Sequence, residues 1–148
     1  MTKLNHFDQL REFQKIMEQP SLKGWGDAQG IDLGMSLITE EAEELREAVN
    51  ALDYDESNQT FEQKENIAKE LADLLYVCYW LAVRVGINID EAFDRIHASN
   101  LSKADPKTGK CMKRKDGKVL KGPNYKKPTL NSVVNDVPWR EKKDGEVM

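Results

Sequence analysis

The sequence predicts an all-α protein, a four-helix bundle with a short basic C-terminal extension. Three observations carry this. Apolar residues recur at helical spacing in four successive stretches. Those stretches are separated by helix-ending and helix-starting residues: Pro20, the polar run Asp53 to Thr60, and Gly86 followed by Asn88. Beyond Lys103 the helical pattern fails. One domain is expected over residues 1–130, with 131–148 an irregular tail that has no periodicity.

Leu4 to Gln19 reads as the first helix, with Leu4, Phe7, Gln14 and Met17 stepping along one side and Pro20 ending it. The loop from Lys23 to Gly30 holds three glycines around Trp25 and Asp27. Trp25 there either plugs the end of the bundle or offers a stacking face to a planar ligand. The second helix is expected from Asp32, its N-cap, to Leu52. The third runs from Thr60 to Gly86, with Thr60 and Gln63 placed for a capping box. Helices this close in sequence should pack antiparallel. Asn88, with Glu91 three residues on, starts the fourth helix, whose apolar line of Ile89, Phe93 and Ile96 turns polar at Asn100 and Lys103. That end either frays into solvent or brings an amide and an ammonium to a ligand. After it, Asp116-Gly117 predicts a tight turn between two short strands, a small β-hairpin, and Lys121 to Pro128 is a rigid cationic segment containing Tyr125.

The acidic residues of the second and third helices do not all lie where solvated residues should. On a wheel of about 100° per residue, Leu33, Leu37, Leu45, Ala48 and Leu52 form one stripe. Glu41 and Glu44 fall inside that stripe, Glu40 at its margin, and Glu43 and Glu47 on the far side. On the third helix Ile67, Leu71, Leu74, Cys78, Leu81 and Val85 cluster within about 40° of one line. Asp73 is the only charge between Leu71 and Val83, and Glu70 precedes it by one turn. Two carboxylate pairs, Glu41-x-x-Glu44 and Glu70-x-x-Asp73, therefore face each other from neighbouring helices. Ionised carboxylates in such surroundings are costly unless a cation compensates them. Oxygen-only donors suit a hard octahedral ion, Mg²⁺ or Mn²⁺ as its substitute, better than Zn²⁺. The rival metal reading, a di-iron carboxylate bundle, needs two Glu-x-x-His pairs; with only His6 and His97 present, Asp94-x-x-His97 is a single imperfect match. The bland alternative is that these are ordinary helix glutamates in accidental register.

At 148 residues, 39% hydrophobic and 32% charged, the composition is that of one ordinary globular domain. No apolar run of membrane-spanning length is present and no secretory leader opens the chain, so a cytoplasmic location is expected. Cys78 and Cys111 have no metal-type spacing, and Cys78 lies in the apolar run as a buried free thiol would. The net charge of -4 conceals an asymmetry: residues 1–102 carry 9 basic and 20 acidic side chains, residues 103–148 carry 13 and 6. The basic arm is either a solvated tail or a source of cations for a polyanion held by the acidic body.

These residues carry a resemblance. Glu40-Glu41-x-x-Glu44 followed by Glu70-x-x-Asp73 resembles the signature of the MazG-like all-α nucleoside triphosphate pyrophosphohydrolases. The block GINIDEAFDRIHASNLSK and then KVLKGPNYKKP is similar to the short single-domain members, including bacteriophage-encoded ones, so that the likeness covers roughly residues 33–130. The interval between the acidic pairs is long, and residues 104–120 form a Lys-rich insertion that the smallest members lack. The resemblance implies hydrolysis of a nucleoside triphosphate, a deoxynucleotide above all, to the monophosphate and pyrophosphate in control of nucleotide pools. It also implies self-association, as a dimer or tetramer, with subunits sharing the cleft, and for a phage protein the host cytoplasm. On this reading Glu41, Glu44, Glu70 and Asp73 hold Mg²⁺, Glu40 orients or deprotonates the water, and Glu41 and Lys103 serve the chemistry. Trp25, Tyr76, Asn100, Lys103, Lys121 and Tyr125 are the candidate nucleotide contacts. A reading of another class is a non-catalytic helical interaction module that presents its acidic face, or Tyr76, Tyr79 and Trp80, to a protein partner. Nucleic acid is not an expected partner of so acidic a body.

Overall fold

Four long helices form where the apolar periodicity places them: α1 (His6–Ile16), α2 (Ala28–Asn50), α3 (Phe61–Val85) and α4 (Ile89–Leu101), with a short α5 (Asn131–Asn135). The computed structural model describes residues 3–105 and 107–135. The all-α expectation holds. The chain divides into two compact units, Met1–Ile87 and Asn88–Met148, so α1 to α3 belong to the first and α4 and α5 to the second.

Most helix ends are built as the capping residues predict. Thr60 and Gln63 exchange both arms of the capping box, and Gln63 Nε2 also donates to the Ala51 carbonyl at the end of α2 (3.1 Å). Asn88 accepts the Glu91 N–H, and Gly86 ends α3 in the left-handed conformation. Two boundaries differ by three residues or more. α1 stops at Ile16, before Pro20, because the chain turns at Glu18 (φ 55°) and sends the Gln19 N–H back to the Gln14 carbonyl (2.7 Å). α2 is capped by Asp27, whose carboxylate accepts the Gly30 N–H (3.1 Å), so it starts at Ala28 and leaves Asp32 exposed inside the helix.

In the first unit α2 lies along α3, and α1 covers another side of α3. A Cβ at position 34 would overlap Leu81, so Gly34 permits the close approach of α2 to α3. Phe7 and Leu10 of α1, Ala48 of α2 and Val77, Trp80, Ala82, Val83 and Val85 of α3 are buried. Gln14 is wholly buried among them, its Nε2 donating to the Trp80 carbonyl (2.9 Å) and its Oε1 accepting from the Ser21 hydroxyl (2.7 Å). The N–H groups of Leu22, Lys23 and Gly24 donate to the carbonyls of Val83, Arg84 and Val85 at the end of α3. Beneath them Arg84 pairs with Asp27, and Arg84 holds that carboxyl below the usual carboxylate range.

The buried face of α3 is not the expected one. Trp80, which lies off the expected apolar line, is 3% exposed and donates its indole N–H to Gln19 (2.9 Å), whereas Leu71, on that line, is about half exposed. The cause is α1. From Leu71 to Val83 helix α3 is apolar almost all round, and there the side that α1 covers decides which residues are buried.

In the second unit a strap runs back over α4. Ser99 Oγ donates to the Lys126 carbonyl (2.7 Å), Ser102 Oγ accepts the Lys126 N–H (2.8 Å), and Arg95 Nη1 donates to the Thr129 carbonyl and the Ser132 hydroxyl. Residues 131–135 of the segment expected to be irregular form α5, tied to α4 by the bond from Asn88 N–H to the Val133 carbonyl (3.1 Å); the remaining 136–148 lie outside the described residues. The Asp116-Gly117 turn exists as expected, Gly117 adopting φ 90°, but the short strands expected on either side of it reduce to a single antiparallel bridge between Lys113 and Val119. Replacing Gln14 by Ala removes two buried hydrogen bonds and leaves a void, and is expected to cost about 1–3 kcal/mol in chemical denaturation.

Candidate active site

One turn of α2 and one of α3 supply the acidic pairs, and the packing of these helices brings three of the carboxylates together. One oxygen each from Glu41, Glu44 and Glu70 lie within 4.8 Å of one another. Glu41 Oε2 and Glu70 Oε2 are shielded from solvent and have no hydrogen-bond partner. Burial pushes the Glu41 carboxyl up, and the neighbouring Glu44 and then the charges of Asp73 and Glu70 push it further. Asp73 is close enough to act on Glu41 by charge, but it is not one of the three that converge. Its Oδ2 takes the ammonium of Lys69 at 2.7 Å, and Glu70 Oε1 accepts from the same ammonium at 3.3 Å. These contacts raise the lysine above its usual range, Asp73 contributing more than Glu70. Orphaned buried oxygens on an all-oxygen donor set fit a hard divalent cation, which would satisfy them and cancel the repulsion.

The family model for phosphoribosyl-ATP pyrophosphohydrolase matches residues 10–100, a span that holds both acidic pairs. The chain belongs to that family. The phosphoribosyl-ATP pyrophosphohydrolase family lies within the MazG-like all-α superfamily whose acidic signature the sequence carries, and membership makes the chain a pyrophosphohydrolase. Enzymes of this family usually need a divalent metal, in keeping with the acidic cluster. No curated protein matches the chain.

The other candidate residues of this pyrophosphohydrolase fall in both units. Glu40 is exposed on α2, and Trp25 is 57% exposed in the loop that caps α3, so it does not plug the bundle end. Tyr76 meets Phe13 edge-on (5.5 Å), and burial followed by the charge of Glu12 pushes its hydroxyl up. In the second unit Asn100 is exposed on the last turn of α4, and Lys103 follows it. A Cβ at position 122 would overlap the Lys103 carbonyl, so Gly122 lets the segment from Lys121 to Tyr125 close on the end of α4. There the Lys121 ammonium lies 4.9 Å from the Tyr125 ring centre. Lys103, Lys121 and Tyr125 thus share one end of the second unit.

Sequence reasoning passed over Lys69. The signal was present, since Lys69 and Asp73 stand four residues apart on one helix and Glu70 adjoins them. It also passed over the Asp27 and Arg84 pair, for which a separation of 57 residues offers no local sign.

A raised carboxyl binds its proton more tightly in the folded state. Glu41 therefore stabilises the fold below the ordinary carboxylate range, and that contribution is lost as pH rises through its raised range. Without divalent ions Glu41→Gln is expected to melt above wild type at neutral pH. The gap should close on acidification to below about pH 4, as a thermal melt series in chelator would record.

Proposed function

We propose that this pyrophosphohydrolase cleaves the α–β phosphoanhydride of a nucleoside triphosphate, a deoxynucleotide by preference, to the monophosphate and pyrophosphate, and so controls nucleotide pools. The observation that carries the reading is the convergence of Glu41, Glu44 and Glu70 with two buried oxygens that no donor satisfies. These residues hold Mg²⁺ or Mn²⁺, with Asp73 as the fourth carboxylate. When bound, the ion supplies charge compensation for phosphate oxygens and for the departing pyrophosphate. Glu40, exposed beside Glu41, accepts a proton from the attacking water. Asn100, Lys103 and Lys121 bind the anionic phosphates, and Lys121 is held ready against Tyr125. Trp25, with its face exposed, stacks on the base, and Tyr76 borders the same ligand.

Self-association belongs to this reading. Leu33 and Met35 of α2 and Leu71 and Leu75 of α3 are each about half exposed, more apolar surface than a lone helical unit usually leaves in water. The interaction-module alternative loses part of its basis, because Trp80 is buried. A second substrate reading rests on the family match itself: phosphoribosyl-ATP carries the same triphosphate, and its cleavage also releases pyrophosphate. The cytoplasm is the proposed location.

The test is pyrophosphate release from each common deoxynucleotide, each ribonucleotide and phosphoribosyl-ATP at equal concentration, with Mg²⁺ and with excess chelator. Release from deoxynucleotides only with Mg²⁺ is expected. Turnover of phosphoribosyl-ATP alone would favour the second substrate, and release in chelator would sink the metal reading. In the same assay Glu41→Gln, Glu44→Gln and Glu70→Gln should abolish release and Mg²⁺ binding, whereas Glu43→Gln and Glu47→Gln, on the exposed face, should leave both nearly unchanged. Lys103→Met and Lys121→Met should each lower kcat/KM by about 10- to 100-fold, the loss of one charge-assisted phosphate contact.

A further inference from the structure

The acidic cluster carries a cation of its own. Glu70 faces two ways: Oε1 takes the Lys69 ammonium, while Oε2 is buried without a partner. Asp73 does not divide itself in this manner. Its Oδ2 makes the shorter contact with Lys69, 2.7 Å, and it stands outside the group of oxygens that converge from Glu41, Glu44 and Glu70. The Lys69 side chain is 64% exposed and Asp73 40%, so their pair is a surface pair that solvent can readily replace. A lysine is a point charge on a flexible stem, able to withdraw without disturbing the helix. A divalent ion brings twice the charge to the same carboxylates.

With Glu41, Glu44 and Glu70 read as the metal ligands, we infer that Lys69 is an internal counter-ion that competes with the divalent ion for Asp73. In the ion-free protein Lys69 neutralises the outer edge of the cluster and keeps Asp73 turned toward itself. Ion binding draws Asp73 in to join the other three carboxylates, and Lys69 is released. The lysine thereby sets the concentration at which the site fills, lowering affinity while sparing the ion-free fold part of its carboxylate repulsion.

The experiment is calorimetric titration of the full chain with Mg²⁺, and separately Mn²⁺, for wild type, Lys69→Met, Asp73→Asn and the double variant. Thermal melts should confirm that each folds, as expected for exposed positions. Lys69→Met should bind the ion about tenfold more tightly than wild type; Asp73→Asn should weaken binding by about twofold beside Lys69 and by about tenfold in the Lys69→Met background. That non-additivity is the signature of competition for one carboxylate. If Lys69 acts only as a distant positive charge, its removal raises affinity by the same factor whether or not Asp73→Asn is also present, and such an additive cycle overturns the inference while leaving the metal site intact. Unchanged affinity in Lys69→Met overturns it too. Failure of wild type to bind either ion overturns the metal reading and the competition together.

Discussion

Carboxylates held within 4.8 Å of one another repel, by on the order of a few kcal/mol per charged pair at an intermediate dielectric constant, and the rest of the first unit has to hold α2 against α3 despite that repulsion. The restraint comes from both sides of the cluster. Toward one end Gly34 lets α2 settle onto Leu81. Toward the other, Gln63 ties the start of α3 to the last turn of α2 through the Ala51 carbonyl. The acidic residues sit between two fixed points, so the helices cannot relieve the repulsion by separating there. What can adjust is the charge itself: proton uptake on Glu41, a lysine on the outer edge, or a metal ion in the middle.

The second unit has the opposite electrostatic character and a different construction. Its backbone is secured largely by hydroxyls and one guanidinium, with Ser99, Ser102 and Arg95 binding the carbonyls and N–H groups of the returning strap. Lysines are thereby left to project. Lys121 rests on an aromatic ring, a contact that orients an ammonium without neutralising it as a carboxylate would. This is the arrangement expected of a cation meant for an external anion, and it contrasts with Lys69, already spoken for by its own chain.

How much could be read beforehand follows from how local each feature is. The capping box at Thr60, the Asn88 cap and the Asp116-Gly117 turn depend on residues within a few positions, and each is present where the pattern placed it. The acidic pairs were legible because helical spacing converts sequence distance directly into direction. Trp80 was not, since on a helix apolar on nearly every side the buried face depends on α1, some seventy residues earlier. The helix start at Asp27 was displaced for a similar reason. Asp27 is positioned by Arg84 at the far end of α3, and a cap that depends on a distant guanidinium leaves Asp32 as the better local candidate.

The hydrogen bonds that close the end of α3 involve only main-chain groups of Leu22, Lys23 and Gly24. Backbone conformation therefore restricts the segment more than side-chain contact does: Leu22 (φ 54°) and Gly24 (φ 90°) hold the left-handed region, which most residues resist. A second restriction is chemical. Proline lacks the N–H that each position donates, so a residue ordinarily at home in surface loops is excluded from 22, 23 and 24, and exchanging one there would expose a helix-end carbonyl beside the buried Arg84. Both restrictions on this loop have the same origin: it holds the fold through its backbone.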